Sequence, residues 1–192
     1  MLGLAGLSAV AWGWQRFLQG SPDLAFVPIA GLPGWQLLET GAVSIGGGTG
    51  AVFIGSGETA ETLSPGALCS LLYPRQGKSP ALAYFSDVQC PNCRSLEAKL
   101  FARKGQLILN RIELPLLGPR SEAFARSNLG RRLGVGPDSP AVAAQLARNH
   151  AAAETLGIWG TPAMTIGRTL VMGDLSDQRL DRLLAMDHPV CR

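Results

Sequence analysis

The sequence predicts an α/β fold, and three stretches carry the prediction. Ala81 to Phe85 is an apolar run, Cys90 to about Lys104 has helical spacing, and Gln106 to Leu114 is apolar again before Pro115. Strand, helix and strand with short links make a βαβ unit, which places two parallel neighbours in a covered sheet. Farther on, alanine-rich helical text gives way to Ala163–Ile166 and Thr169–Met172, which flank Gly167 as a closing hairpin.

Composition bounds the possibilities. A chain of 192 residues can bury one good core with room for an insertion. Hydrophobic residues at 46% against charged residues at 16% exclude a disordered, highly charged chain. The net charge is +3, and the arginines are scattered apart from Arg131 and Arg132. No phosphate-tracking stripe is present, so nucleic acid is not an expected partner and the basic excess reads as solvated surface.

Taken in order, the chain begins with an apolar run, Leu2 to Trp14, of signal-peptide length and too short for a comfortable membrane span. Ala9-Val10-Ala11 offers a small-x-small cleavage site, although the usual basic segment is missing. Residues 1–20 are therefore expected to be a signal peptide or membrane anchor, with an apolar helix of the fold as the alternative. Residues 21–79 read as an N-terminal extension rich in Gly and Pro. In it, Trp35 to Ile45, the glycines from Gly46 to Gly50, and Ala51 to Ile54 predict a hairpin. The glycine run matches neither the dinucleotide fingerprint nor a P-loop, whose lysine it lacks, so no nucleotide is expected. Ser64 and Pro65 start a short helix that reaches about Tyr73 and stops at Pro74, with Cys69 inside it.

Residues 80–192 hold the βαβ unit, and Cys90 and Cys93 stand where its first strand meets its helix. Open α/β sheets tend to put their chemistry at that carboxyl end. A helix starting at Cys90 brings the two sulfurs to neighbouring positions of one turn, close enough for a disulfide to open and close. Pro91 takes the first helical position, where a missing N–H costs nothing. Free backbone donors and the helix dipole favour a thiolate at Cys90. Cys93 shares a stripe with Leu96, Leu100 and Phe101, so the pattern predicts an exposed nucleophile and a protected resolving partner.

A lone C-x-x-C also fits half a zinc site or a purely structural disulfide. Zinc would need two more ligands at short spacing, yet Cys69, Cys191, His150 and His188 are isolated, so no metal is expected. So short a disulfide loop would remove little chain entropy.

Beyond Pro115, one helix is expected from about Ser121 to Leu133, ended by Gly134 and the turn Gly136-Pro137. A second is capped by Ser139, starts at Pro140, and carries Val142, Leu146, Ala153 and Leu156 on its apolar side. These two helices should cover the sheet, and His150 reads as a packed or half-exposed helix residue. The last helix is capped by Ser176 and lines up Leu180, Leu183 and Leu184.

Three motifs then stand in one order: Phe85-Ser86-Asp87-Val88-Gln89-Cys90-Pro91-Asn92-Cys93, Leu114-Pro115-Leu116-Leu117-Gly118-Pro119-Arg120-Ser121, and Leu156-Gly157-Ile158-Trp159-Gly160-Thr161-Pro162-Ala163. Together they resemble the DsbA-like thiol–disulfide oxidoreductases of the thioredoxin superfamily, over roughly Pro80 to Leu184. The resemblance implies a thioredoxin fold with a shortened helical insertion, about 119–157, and an N-terminal β-hairpin extension. It also implies that Pro162 is cis and that Thr161 and Pro162 face the cysteines as the substrate-binding element.

On this reading Cys90 and Cys93 are the catalytic pair, and Pro91 and Asn92 tune its redox balance. Asn92 stands where the strongest oxidants of the family have histidine, which implies a milder oxidant. Asp87 lies near the helix start and is expected to face solvent; turned inward, its charge would oppose a thiolate at Cys90. Gln89 is expected to be exposed.

The implied function is disulfide exchange with exported protein thiols, as an oxidase in the periplasm, soluble or anchored by the N-terminal run. A redox partner must reset the pair, and no cofactor is needed beyond the Cys90–Cys93 disulfide. A reductase or isomerase would use the same residues. A copper-binding or chaperone-like module of the same fold is the other alternative, because two thiolates suit Cu(I). Two states stay open for Cys69 and Cys191: free thiols, or a structural disulfide tying the early helix to the carboxyl terminus.

Overall fold

In the computed structural model, which describes residues 24–39, 62–74, 80–188 and 191, one mixed sheet is covered by helices on both faces. Its described elements are β1 (Ala25–Pro28), β2 (Gln36–Glu39), α1 (Pro65–Leu72), β3 (Ala81–Ser86), α2 (Pro91–Ala102), β4 (Ile108–Glu113), α3 (Pro119–Leu133), α4 (Pro140–Thr155), β5 (Ala163–Ile166), β6 (Thr169–Met172) and α5 (Asp177–Leu184). The strand order is β1-β2-β6-β5-β3-β4. β3 runs parallel to β4, Ala81 opposite Ile108 through Ser86 opposite Glu113, as the βαβ pattern requires. On its other edge β3 pairs antiparallel with β5.

Alternation along β3 sends its side chains to two different cores. Leu82 and Tyr84 join the apolar stripe of α2 together with Leu175, Leu180 and Leu183 of the α5 region. Ala83 and Phe85 pack on the other face with Leu68 and Leu72 of α1 and Ala152 and Ala153 of α4. From Leu82 to Phe85 nothing in β3 is exposed, which makes it the anchored strand of the sheet.

Local chemistry sets the helix ends. Ser64, Ser139 and Ser176 each accept a backbone N–H from three residues ahead, at 3.3, 3.3 and 3.4 Å. Pro65, Pro91, Pro119 and Pro140 occupy first-turn positions. α3 stops at Gly134, whose φ of 70° lies in the left-handed region that favours glycine. That helix begins at Pro119, two residues before the expected Ser121. α3 and α4 share a small core, Ala125, Leu129, Val142 and Leu146, and so form a packed helix pair.

Phe101 departs from expectation: it is 55% exposed, while Cys93, Leu96 and Leu100 are buried. Eight residues on at about 100° per residue put Phe101 about 80° from Cys93 and on the far side from Leu96, off the apolar stripe.

β2 coincides with the start of the expected strand Trp35 to Ile45. Its described antiparallel partner is β1, upstream, through a turn in which Ile29 N–H donates to Trp35 O at 3.0 Å. The expected second arm, Ala51 to Ile54, and the apolar run Leu2 to Trp14 lie outside the described residues. β2 also pairs in parallel with β6, so the described part of the extension belongs to the central sheet.

Cys69 and Cys191 are joined as a disulfide, 122 residues apart in sequence and nearly buried. The same short helix is held in two further ways. The Tyr73 hydroxyl donates to Gly167 O at 2.7 Å and is also hydrogen-bonded to the Thr165 hydroxyl at 2.8 Å. Asn110 Nδ2 donates to the terminal carbonyls Leu71 O and Leu72 O, which the helix itself leaves unpaired. Replacing Cys69 and Cys191 together by serine should lower unfolding free energy by up to about 5 kcal/mol, since so long a loop is no longer closed in the unfolded chain. Urea unfolding of both proteins checks this, and equal midpoints would contradict it.

Candidate active site

The cysteines sit where the buried strand is released into the helix. β3 ends at Ser86, and Cys90 N–H donates to Asp87 O at 3.2 Å, closing a turn through Val88 and Gln89. Cys90 has extended backbone angles and serves as N-cap of α2: its sulfur accepts the Cys93 N–H at 3.2 Å. A cysteine thus occupies the position usually filled by a hydroxyl or carboxylate oxygen, and one otherwise unpaired donor of the helix start points at its Sγ.

Thr161 and Pro162 come to the same place from the other side. The Cys90 thiol donates to Thr161 O at 3.3 Å, and the Thr161–Pro162 peptide is cis. Pro162 O in turn accepts Gly173 N–H at 2.8 Å, so the end of β6 holds this loop. Trp159, two residues earlier, is 59% exposed.

Exposure at the pair differs from the expected contrast. Both cysteines are free thiols and both are buried, Cys90 at 5% and Cys93 at 1% exposure. Cys90 joins a core cluster with Met164 and Val171, and its thiol meets Thr161 O, contacts that a helical pattern read in isolation cannot include. Burial, followed by the hydrogen bond with Cys90, pushes the Cys93 thiol up to about 11. Below it, the Tyr84 hydroxyl donates to Cys93 O at 2.7 Å, and burial raises the Tyr84 pKa so that it stays a neutral donor. Pro91 and Asn92 are exposed on the outer side of the first turn.

Asp87 does not face solvent. It is 2% exposed, and its carboxylate binds the β4–α3 connection. Oδ2 accepts Leu116 N–H and Leu117 N–H at 2.7 and 2.9 Å; Oδ1 accepts Gln89 N–H and the Ser121 hydroxyl, both at 2.7 Å. Gln89 is part of the same network rather than exposed, donating from Nε2 to Leu117 O at 3.1 Å and Ser121 Oγ at 2.8 Å. Burial alone would raise the Asp87 pKa, but the bonds from Ser121, Gln89, Leu117 and Leu116 outweigh it and hold the carboxyl below its usual range. Pattern reading missed these partners because a lone Asp before a helix carries no periodicity.

The helix bearing the pair is clamped to α5. Lys99 bonds Asp174 at 2.9 Å and Leu175 O at 2.7 Å, while Arg103 pairs with Asp177 and Asp181 at 2.8 and 2.7 Å. His150 is half-buried on α4, and burial lowers its pKa. His188 lies at the far end of the chain, its Nε2 2.6 Å from Leu183 O. Among the described residues, no group of three or more His, Cys, Asp or Glu side chains gathers as a metal site.

Solved structures with a similar fold over part of the chain exist. The catalytic domain of Proteus mirabilis ScsC matches with a TM-score of 0.51 at 18% identity, over 60% of this chain and 91% of its own. A periplasmic thioredoxin-like protein from Salmonella enterica serovar Typhimurium matches with a TM-score of 0.51 at 18% identity, over 61% of this chain and 93% of its own. A thioredoxin-like oxidoreductase from Silicibacter pomeroyi matches with a TM-score of 0.51 at 21% identity, over 62% of this chain and 98% of its own. The chain has a thioredoxin-like fold. No family model and no curated protein sequence matches it. Within this thioredoxin-like fold, the cysteine pair lies at the carboxyl end of β3 and the cis peptide at the amino end of β5, its antiparallel neighbour.

Because folding lowers the Asp87 pKa, its carboxylate stabilises the fold above its unfolded value of about 3.9 and loses that contribution as pH falls through the lowered folded value. Denaturant midpoints measured from pH 7 to pH 3 should fall at the acid end, and Asp87→Asn should flatten that fall. Identical acid profiles for both proteins would contradict the assignment.

Proposed function

We propose that this protein is a thiol–disulfide oxidoreductase acting on exported protein thiols through Cys90 and Cys93. The observation that carries the reading is the placement of Cys90 Sγ between the Cys93 N–H at 3.2 Å and Thr161 O at 3.3 Å. The first contact supplies a backbone donor to a negatively charged sulfur. The second puts an extended backbone segment beside that sulfur, where a substrate chain can pair with Thr161 groups as an added strand. Pro162 has no N–H of its own to obstruct the approach.

The chemistry balances within the two dithiols. In the oxidised form, a substrate thiolate attacks Cys90 Sγ, the Cys90–Cys93 bond breaks, and its electron pair leaves with Cys93 as thiolate. Cys93 then takes up a proton, which its raised affinity favours. A second substrate thiolate attacks the substrate sulfur of the mixed disulfide and expels Cys90 as a thiolate. The substrate loses two electrons and two protons, the pair gains them, and a redox partner removes them to restore the disulfide. No cofactor enters these steps.

Net oxidation is the favoured direction. Support comes from the Cys69–Cys191 disulfide, which belongs with an oxidising compartment. On this reading the protein works in the periplasm, soluble or held by residues 1–20. No described helix is long and apolar enough to cross a membrane. Asn92 in place of an imidazolium, with Pro91 before it, makes the pair a modest oxidant.

Exchange with a dithiol peptide tests the proposal. Cys90→Ala should abolish it, and Cys93→Ala, offered the peptide in its disulfide form, should trap a mixed disulfide at Cys90 as one peptide thiol is released, visible by mass under non-reducing conditions. Full activity without Cys90 would overturn the enzyme reading, and stoichiometric Cu(I) in the purified protein would then favour a metal-handling module. A reduction potential of about −270 mV, as in thioredoxin, would favour a reductase over the oxidase.

A further inference from the structure

Asp87 holds a buried negative charge three residues before Cys90 and has no part in the exchange steps. Its donors are all neutral: the backbone N–H groups of Gln89, Leu116 and Leu117 and the hydroxyl of Ser121, at 2.7, 2.7, 2.9 and 2.7 Å. Among the described residues no lysine, arginine or histidine forms an ion pair with it. Hydrogen bonds stabilise the charge where it is, yet they leave a net charge of one beside the site.

Two connections place that charge against the redox turn. The Asp87 carbonyl accepts Cys90 N–H at 3.2 Å, so the Cα atoms of the two residues are the ends of one turn, within about 7 Å. The N–H that Gln89 gives to the carboxylate belongs to the residue directly before Cys90. Meanwhile Leu116, Leu117 and Ser121 belong to the β4–α3 segment, where Leu117 is 53% exposed. One carboxylate therefore ties the turn that carries Cys90 to the loop beside it.

Resting on the exchange reading above, we infer that Asp87 is a positioning residue of the redox site whose fixed charge also lowers the reduction potential of the Cys90–Cys93 pair. A disulfide is neutral, whereas the reduced pair carries negative charge on Cys90 Sγ in whatever fraction is ionised at the pH of the measurement. A neighbouring carboxylate with low-dielectric surroundings disfavours that charge and so favours the oxidised pair. Asp87 thus moderates the oxidant from the start of the turn that carries Cys90.

Equilibration of the full chain with reduced and oxidised glutathione tests this. For the reaction in which the protein disulfide and two glutathione thiols give the protein dithiol and glutathione disulfide, Asp87→Asn should raise the equilibrium constant by about threefold to tenfold. That corresponds to a potential about 15–30 mV less negative. Asp87→Ser should move it the same way, its hydroxyl retaining one acceptor. Ser121→Ala removes a donor but keeps the charge, so it should lower the melting temperature while leaving the constant within about twofold of the parent. Neutral variants that fold but keep the parent constant would overturn the inference, as would a Ser121→Ala shift equal to that of Asp87→Asn. If neither neutral variant folds, the carboxylate is a requirement of the fold and the tuning role is refuted. A parent chain that does not equilibrate with glutathione overturns the exchange reading itself, and this inference with it.

Discussion

Because β3 is paired on both edges and covered on both faces, its carboxyl end is a fixed point of the molecule, and the cysteine site hangs from it. A site with a 3.3 Å contact between residues 71 apart in sequence needs two rigid supports. β3 supplies one, through Asp87 and the turn to Cys90. β5 supplies the other, because its pairing with β3 brings Ala163, and so the preceding Thr161 and Pro162, opposite Phe85. The register of that pair decides whether the Thr161 carbonyl meets the Cys90 sulfur. A slip of one residue would turn the β5 side chains to the opposite face and break the alignment.

Packing and ion pairs both hold α2 in place, but not equally. Truncating a fully buried leucine such as Leu96 or Leu100 costs about 2–5 kcal/mol, because apolar area and a cavity are both lost. The Arg103 contacts reach carboxylates that are 65% and 61% exposed, where a pair contributes about 0–1 kcal/mol. Apolar burial therefore fixes where α2 lies. The charged contacts add links from α2 to Asp174 and to α5.

Two buried acids show how the same burial leads to opposite protonation tendencies. Asp87 has four short hydrogen bonds, two of them to adjacent backbone N–H groups, and these exceed the cost of removing its charge from water. Glu113, at the end of β4, has Arg111 and Asn128 as partners, yet burial prevails and its pKa is raised. The difference lies in the number of donors aimed at the charged form. A carboxylate in the loop between strand and helix has backbone donors available that a strand carboxylate, whose neighbours are committed to the sheet, does not.

What the chain determined by itself was local. Serine and proline at helix starts, glycine at the end of α3, and the alternation and spacing of apolar residues placed nearly every described element between β3 and α5, because these signals act over a few residues. Cys90, Pro91 and Cys93 were readable for the same reason. Tertiary structure decided the rest. It buried Cys90 beside Thr161, turned Asp87 inward to the 116–121 segment, and joined Cys69 to Cys191. Each of those outcomes depends on which distant segment occupies a given face, and a local pattern holds no record of that.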